Sequence, residues 1–402
     1  MRIPDFVAFM ASRVLSGVAT SLLSTQVNWH VYELSGSAFQ LGLVGLVQFL
    51  PALLLSPVGG VVADSYERRR IAQMSQAVLA IGGLVLWLAT SQGLATLPLL
   101  YGIVLCTSSA TAFENPARAA LLPTLLPAAL FPAAVTFYAG GQMIAFMSGP
   151  ALQGIVLAAT DLATVYAVHA VLIAGAFTVL SFVRPRPLSG PGRGLSLAAI
   201  REGWAYVRGN QVVLGCMTLD MFAVLFGGAK ALLPIYAKDI LHTGPAGYGL
   251  LVASLEIGSV LMWLVLMIAP PLERAGRALL FAVGVFGAAT IVFGFSRSYP
   301  LSVAAYLVAG MADYVSVVMR SVAVQLSTPN ELRGRVSSIN MLFIGASNQL
   351  GAVESGFVAA LTNATFSVVS GGVGCLIVLG IVAVKLPELG EYDLRTARHH
   401  EG

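Results

Sequence analysis

Long apolar runs, interrupted by short clusters of Pro, Gly, Ser and Arg, dominate this chain, and each run is long enough for one membrane crossing. They fall near Phe6–Val31, Phe39–Ala63, Ile71–Thr90, Leu97–Leu122, Leu130–Ala159 and Leu162–Val183. The stretch Arg184-Pro-Arg-Pro-Leu-Ser-Gly-Pro-Gly-Arg193 then breaks the pattern and reads as a linker. A second set follows near Val212–Ala237, Tyr248–Ile268, Leu279–Phe295, Leu301–Leu326, Val336–Leu361 and Phe366–Lys385. Between the sets, Leu197, Ile200, Trp204 and Val207 recur at helical spacing with Arg201, Glu202 and Arg208 among them, which predicts a short amphipathic or connecting helix over Leu195–Asn210. The pattern thus predicts an all-α membrane protein with twelve transmembrane helices in two six-helix bundles. The expected bounds are 1–183 for the amino-terminal bundle, 184–210 for the linker with its short helix, 211–386 for the carboxy-terminal bundle and 387–402 for a tail.

Composition agrees with a chain whose solvent is mostly lipid. Of 402 residues, 57% are hydrophobic and only 10% charged, whereas a soluble domain carries about 25% charged residues. So few ionic groups could not wet the surface of a soluble fold of this size. Cys106, Cys216 and Cys375 are odd in number, lie in apolar stretches and lack C-x-x-C spacing, so they read as small core hydrophobes and neither a disulfide framework nor a metal site is expected. The first apolar run is as long as the others and is expected to be a retained span with no cleaved leader.

The position of the charges matters more than their net value of +4. Arg68, Arg69, Arg70, Arg184, Arg186, Arg274, Arg277, Arg333 and Arg335 all fall in breaks on one side, and Lys238 and Arg297 on the other. Basic residues in short loops stay cytoplasmic, so both termini are expected inside a bacterial inner membrane. The charges form no basic face for nucleic acid. The two halves also repeat one another: Arg118 and Pro127 recur as Arg320 and Pro329, and Glu67-Arg68 as Glu273-Arg274.

Gly60-Val-Val-Ala-Asp64-Ser65-Tyr-Glu67-Arg68-Arg69-Arg70 closes the second span. This segment resembles the first-half signature of the major facilitator superfamily, G-x-x-x-D-R-x-G-R-[RK], with Ser65 and Glu67 as departures. The resemblance implies a conformational switch at Gly60, Asp64, Arg68 and Arg69. Gly60 would permit close helix approach, and Asp64 would sit where a neighbouring helix dipole favours an anion. Asn115-Pro-Ala-Arg118-Ala-Ala-Leu-Leu-Pro123-Thr-Leu-Leu-Pro127 is similar to a stretch in the macrolide-efflux and enterobactin-export branch, as is Leu332-Arg-Gly-Arg335. Gly149-Pro150-Ala-Leu-Gln153-Gly154 resembles the antiporter motif, with Gly149, Pro150 and Gly154 forming a pliant seam and Gln153 replacing a glycine.

Ionisable residues at membrane depth are the main functional candidates, since each costs about 2.5–3.5 kcal/mol to insert. Asp313, Asp220 and Glu256, in that order, are candidates for proton coupling, because a carboxylate withdrawn from water can take a proton from one side and release it to the other. Arg13, Glu114, Arg118, Arg320 and Glu354 are cavity or charge-pair candidates, with Glu114 and Arg118 spaced for an i, i+4 ion pair. The resemblance places spans one, four, seven and ten around a central cavity. His30 and His169 read as hydrogen-bonded interfacial groups, and Trp29, Tyr32, Tyr236 and Tyr299 as interfacial aromatics. Phe137, Tyr138, Met143, Phe146, Met147, Met217, Phe222 and Phe226 are read either as a soft apolar pocket or as packing. Gly227-Gly228-Ala-Lys230 lacks phosphate-loop spacing, and no catalytic motif is present. The expected function is secondary active transport without a cofactor, exporting an amphipathic drug-like or siderophore-like small molecule in exchange for protons. Uptake or lipid translocation by the same fold, or a non-transporting membrane sensor or assembly factor, are the alternatives. The expected partners are a small-molecule substrate, protons and membrane lipid, with the chain acting as a monomer.

Overall fold

A computed structural model describes residues 3–127, 130–184, 197–227, 229–270, 272–329 and 332–393. The centre of the expected linker, the tail beyond Asp393 and the side chain of Asp64 lie outside the described residues. The first half forms α1 (Ile3–Ser35), α2 (Ala38–Ser65), α3 (Arg68–Ser91), α4 (Leu97–Leu125), α5 (Phe131–Ala159) and α6 (Leu162–Ser181). Then come α7 (Leu197–Gly209) and α8 (Gln211–Phe226), a 3-10 turn at Ala229–Leu232, α9 (Leu233–Ile235) and a π turn at Tyr236–Ile240. The remainder is α10 (Gly244–Ile268), α11 (Ala275–Phe295), α12 (Tyr299–Leu326), α13 (Arg333–Leu361), α14 (Ala364–Lys385) and α15 (Pro387–Glu391).

Eleven helices are long and apolar enough to cross a membrane among the described residues, against twelve expected. The difference is α13. Its 29 residues suffice in length, but Asn340, Ser347, Asn348, Gln349 and Glu354 interrupt its apolar run. Many large apolar side chains stay exposed on the outer faces, including Leu54, Val61, Ile155, Val171, Phe281 and Val384. Such surfaces are stable against hydrocarbon and would not be in water.

By its contacts the chain divides into two units, Met1–Gly194 with Ala237–Ala253, and Leu195–Tyr236 with Ser254–Gly402. The strip Ala237–Ala253, which the sequence assigns to the second half, thus packs with the first six helices. Helix pairing repeats across the halves: α3 with α4 and α6, and α1 with α5 and α6, are matched by α11 with α12 and α14, and α8 with α13 and α14. The repeat seen in Arg118 and Arg320 is therefore also a repeat of packing.

Small residues set the tightest helix approaches, as expected where lipid supplies no hydrophobic drive between helices. A Cβ on Gly149 would lie 2.6 Å from the Cβ of Ser21, so α5 rests directly on α1. A Cβ on Gly310 would collide with the carbonyl of Leu255, and one on Gly258 with that of Leu307, so α10 and α12 meet backbone to backbone. Ser259 adds a hydrogen bond across this seam, its hydroxyl donating to Gly310 O at 3.1 Å.

Helix starts also repeat. Asp161 caps α6 by accepting from the Thr164 amide at 2.7 Å, and Asn363 caps α14 by accepting from the Phe366 amide at 2.8 Å. Asn210 does the same for α8 through the Val213 amide at 3.0 Å. The α7 helix is docked on the second unit: the ring of Trp204 stacks on Phe343 at 5.6 Å, and Arg335 bonds Glu202 at 2.6 Å.

Two outcomes follow. Gly310→Leu should lower the melting temperature in detergent by several degrees, since forced overpacking costs about 1–3 kcal/mol; an unchanged melt would refute the backbone seam. The Thr164 amide holds the Asp161 carboxyl below the usual carboxylate range. Its stabilisation is therefore present above an unfolded pKa of about 3.9 and lost as pH falls through the lowered value. Relative to Asp161→Asn, wild type should lose melting temperature as pH falls below about 4, and a constant difference across that range would count against the cap.

Candidate functional site

The charged groups at membrane depth resolve into three assemblies, each held within one unit. In the first unit, Arg118 is fully buried and Glu114 nearly so. The Arg118 Nε donates to Glu114 Oε1 at 2.6 Å, one helical turn away on α4. From α1, the Ser16 hydroxyl donates to Glu114 and the Ser12 hydroxyl accepts from Arg118, both at 3.3 Å. Gln76 of α3 also donates to Ser12. Arg13 lies within range of the charges of Glu114 and Arg118, with its guanidinium 5.4 Å over the ring of Tyr138.

In the second unit, Arg320 of α12 pairs with Asp220 of α8, and both are buried. The sequence offers no i, i+4 partner here, so the acid comes from the facing helix. Removing either member of a pair so buried strands the other charge.

The third assembly lies where the seventh span breaks. Its helix stops at Phe226, and beyond Gly227 the chain resumes as the 3-10 turn holding Lys230. Pro234 contributes to the break, since it has no N–H to donate to the Lys230 carbonyl one turn back. The Lys230 ammonium lies 3.8 Å from Glu256 Oε1 and its side chain is 55% exposed. Asp313 of α12 is half-buried, and the charges acting on it are those of Glu256 and Lys230. Glu256 and Asp313 stand two and three residues along their helices from the α10–α12 seam at Gly258 and Gly310. Glu354 lies on α13, which packs on the turn holding Lys230, and its carboxylate accepts from the Ser355 hydroxyl at 3.3 Å.

At the basic end of the first unit, Arg68 donates to the carbonyls of Ala63 at 3.3 Å and Ala120 at 2.8 Å. Arg69 donates to Val183 O at 2.9 Å and pairs with Glu67 at 3.3 Å. These arginines thus bond carbonyls near the ends of α2 and α4 and in the chain just past α6, where cations suit the helix dipoles. Arg333 acts likewise, donating to Gln325 O at 3.1 Å and Thr328 O at 3.2 Å at the end of α12. The close approach expected at Gly60 falls instead on its neighbour. A Cβ on Gly59 would sit 2.6 Å from Ala112 O, while Gly60 faces open space.

At the other end, Gly154 of α5 faces Gly249 in the strip Ala237–Ala253: a Cβ on Gly154 would lie 2.8 Å from the Gly249 Cα. Close by, Tyr248 donates to Thr25 O at 3.1 Å and packs on Trp29, and the Tyr32 hydroxyl bonds Asp239. Gln153 donates to Gln26 Oε1 at 2.9 Å, which explains why a side chain replaces the motif glycine. A cavity of about 540 Å³ lined by Trp29, Glu33, Thr90 and Asp161 opens at this end, away from the deep charges.

A family model described as transmembrane secretion effector matches residues 1–402. The chain belongs to that family, within the major facilitator superfamily. Relatives of the chain include the multidrug efflux pump Tap of Mycolicibacterium fortuitum, 26% identical over 94% of this chain and 95% of that one. Macrolide efflux protein A of Streptococcus pyogenes is 22% identical over 97% and 98%, and the enterobactin exporter EntS of Escherichia coli O1:K1 / APEC is 24% identical over 97% and 93%. The fold matches the inward-facing crystal structure of a bacterial homologue of the lysosomal transporter Spinster, with a TM-score of 0.72 and 14% identity, covering 98% of this chain and 96% of that one. The chain is thus a multi-pass membrane transporter.

Several sequence expectations are revised. Trp29, Tyr32, Tyr236, His30 and His169 are buried within the protein. His30 bonds the Tyr166 hydroxyl at 2.9 Å, and both ring nitrogens of His169 meet backbone carbonyls, Ala19 O at 2.9 Å and Leu79 O at 3.2 Å. Met217 is core, and Phe226 packs against Gly374, while Phe137 and Phe146 are exposed. Cys106 is exposed, unlike buried Cys216 and Cys375. No metal-ligating cluster occurs among the described residues. Sequence reasoning passed over Lys230. Its signal was available as an ammonium inside an apolar run, between Gly227-Gly228 and Pro234.

Arg320→Met and Asp220→Asn should each destabilise the transporter by about 3–5 kcal/mol, and the double substitution should recover most of the loss. Melting temperature and detergent-solubilised yield read this directly. Additive losses in the double variant would show that the pair is not coupled.

Proposed function

We propose that the transporter exports an amphipathic small molecule across the bacterial inner membrane in exchange for protons, with Asp313 as the proton-carrying carboxylate. The observation that carries this reading is the Lys230–Glu256–Asp313 assembly. It joins an acid near the middle of span ten to an acid near the middle of span eight and to the broken span seven. An ammonium over half exposed at this depth cannot face hydrocarbon, so the space it opens on is aqueous. Asp313 therefore meets water within the membrane, and can exchange its proton as access to that water changes sides.

The other two assemblies suit a different task. Asp220 is neutralised by Arg320 and Glu114 by Arg118, which favours structural roles for both acids and leaves Asp313 first among the coupling candidates. Arginine-capped helix ends favour the cytoplasmic side for that end of the molecule and for both termini. The Arg68 and Arg69 contacts, with Asp64, form the switch that releases when that side opens. The seam at Gly149, Pro150 and Gly154 supports the opposite closure. The names of the relatives, efflux pumps and an exporter, favour outward over inward movement. The unit of function is a monomer surrounded by lipid.

Ethidium accumulation in cells stripped of their own exporters tests this. Wild type should lower accumulation, and a protonophore or Asp313→Asn should return it to the level of empty cells, with the variant inserted in equal amount. Unchanged or raised accumulation with inserted wild type would replace export by uptake or lipid translocation.

A further inference from the structure

Arg13 is a guanidinium at membrane depth with no acid of its own. It lies about 15 Å along α1 from the start of that helix, half-buried and without an ion pair among the described residues. The acids of the first unit are Asp5, Glu33, Asp64, Glu67, Glu114, Asp161 and Asp239. Asp5 is nearer the start of α1, about 12 Å away along the axis. Asp64 belongs to the last turn of α2, and Glu67 pairs with Arg69 and Arg70. Glu33 is near the far end of α1, Asp161 caps α6 and Asp239 bonds Tyr32. Glu114 does act on Arg13, but it is already held by Arg118 at 2.6 Å and by the Ser16 hydroxyl, and the charge of Arg118 opposes its effect. The Glu114–Arg118 pair is neutral, which leaves the charge of Arg13 over.

Tyr138 of α5 gives that charge a seat without cancelling it. The guanidinium stands 5.4 Å over the ring and bonds the phenol oxygen. Phe9, one turn earlier on α1, stacks on the same ring at 6.2 Å. Gly141 makes this approach possible: a Cβ there would lie 3.1 Å from both Met10 Cε and Val14 Cγ2, so α5 runs close against α1. A guanidinium carries five N–H donors in a planar fork, and a single phenol oxygen leaves most of them open. Open donors of this geometry suit the paired oxygens of an oxyanion.

We infer that Arg13, seated on Tyr138, binds the acidic group of amphipathic organic anions, carboxylates or sulfonates on an apolar body, and so adds them to the cargo of the transporter. This rests on the export reading above. A cation such as ethidium is repelled by Arg13, so the two classes of cargo are held by different side chains. An anionic lipid headgroup offers the same chemistry from the cytoplasmic leaflet. The depth of Arg13 favours cargo, since a headgroup layer is only roughly 5–8 Å thick and its phosphates are tethered there.

Proteoliposomes of the full chain under a pH gradient test this with 2-naphthalenesulfonate, a permanent anion, and ethidium, a permanent cation. Wild type should move both. Arg13→Gln, inserted in equal amount, should lower the ratio of sulfonate to ethidium transport about 10-fold or more, because a charged hydrogen-bonded contact is lost. Arg13→Lys should move the sulfonate with its KM raised several-fold relative to that of ethidium, because an ammonium lacks the paired donors. A wild type that moves ethidium but not the sulfonate overturns the inference and leaves the export reading intact. An unchanged ratio in Arg13→Gln overturns it as well, and equal loss of both probes would give Arg13 a structural role only. If Arg13→Gln does not insert, Arg13→Lys decides, and an unchanged relative KM overturns the inference. Phosphatidylglycerol that raises the melting temperature of wild type but not of Arg13→Lys, with no sulfonate transport, would make a lipid headgroup the occupant and overturn the cargo assignment. If wild type moves neither probe, the export reading falls and the inference with it; if it moves the sulfonate alone, and through Arg13, the anion site stands.

Discussion

Withdrawing the guanidinium of Arg118 from water, with none of its surface exposed, is tolerable only because a carboxylate meets it at 2.6 Å, while from α1 the Ser12 hydroxyl accepts from the guanidinium and the Ser16 hydroxyl donates to the carboxylate. The same constraint acts on every ion at membrane depth, and it dictates which helices must touch. Ser12 and Ser16 tie α1 to α4, Asp220 ties α8 to α12, and Glu256 ties α10 to the broken span. Apolar surface alone specifies little of this, because lipid competes equally for it. The polar contacts and the glycine seams provide the specificity.

The two halves satisfy that constraint differently. Arg118 finds its acid on its own helix, so α4 is neutral by itself and is tied to α1 by hydroxyl hydrogen bonds alone. Arg320 finds its acid on α8, so α8 and α12 are joined by charge and must move together or not at all. The duplicated pairing of helices therefore hides a mechanical difference. The first half carries its buried charge within one helix, whereas the second half uses it as a crosslink. The break above Asp220 is then a reasonable place for local movement, because the lower part of the same span is held.

The spans were legible in the sequence because hydropathy is a local property, readable within one window. α13 is long enough for the twelfth span expected from the sequence, but its polar residues leave it outside the eleven apolar ones. The break in span seven was written in Gly227-Gly228 and Pro234, yet its meaning depended on Glu256 lying opposite. The Glu114–Arg118 pair could be read because both residues sit on one turn. Asp220 and Arg320, a hundred residues apart in sequence, could not be matched, since pairing across helices depends on packing. Gly59 and Gly60 show the limit at its finest. Adjacent helical positions point about 100° apart, so a motif can name the neighbourhood while the helix rotation decides which glycine touches its neighbour.

Gly154 and Gly249 meet with nothing but backbone between them. Interlocked side chains must find new rotamers before two helices can separate, and such a contact carries a friction that slows parting. A bare backbone contact has none. Close approach gives many small dispersion contacts while the helices touch and leaves no hooked side chains as they part, so this joint can be snug when shut and quick to release.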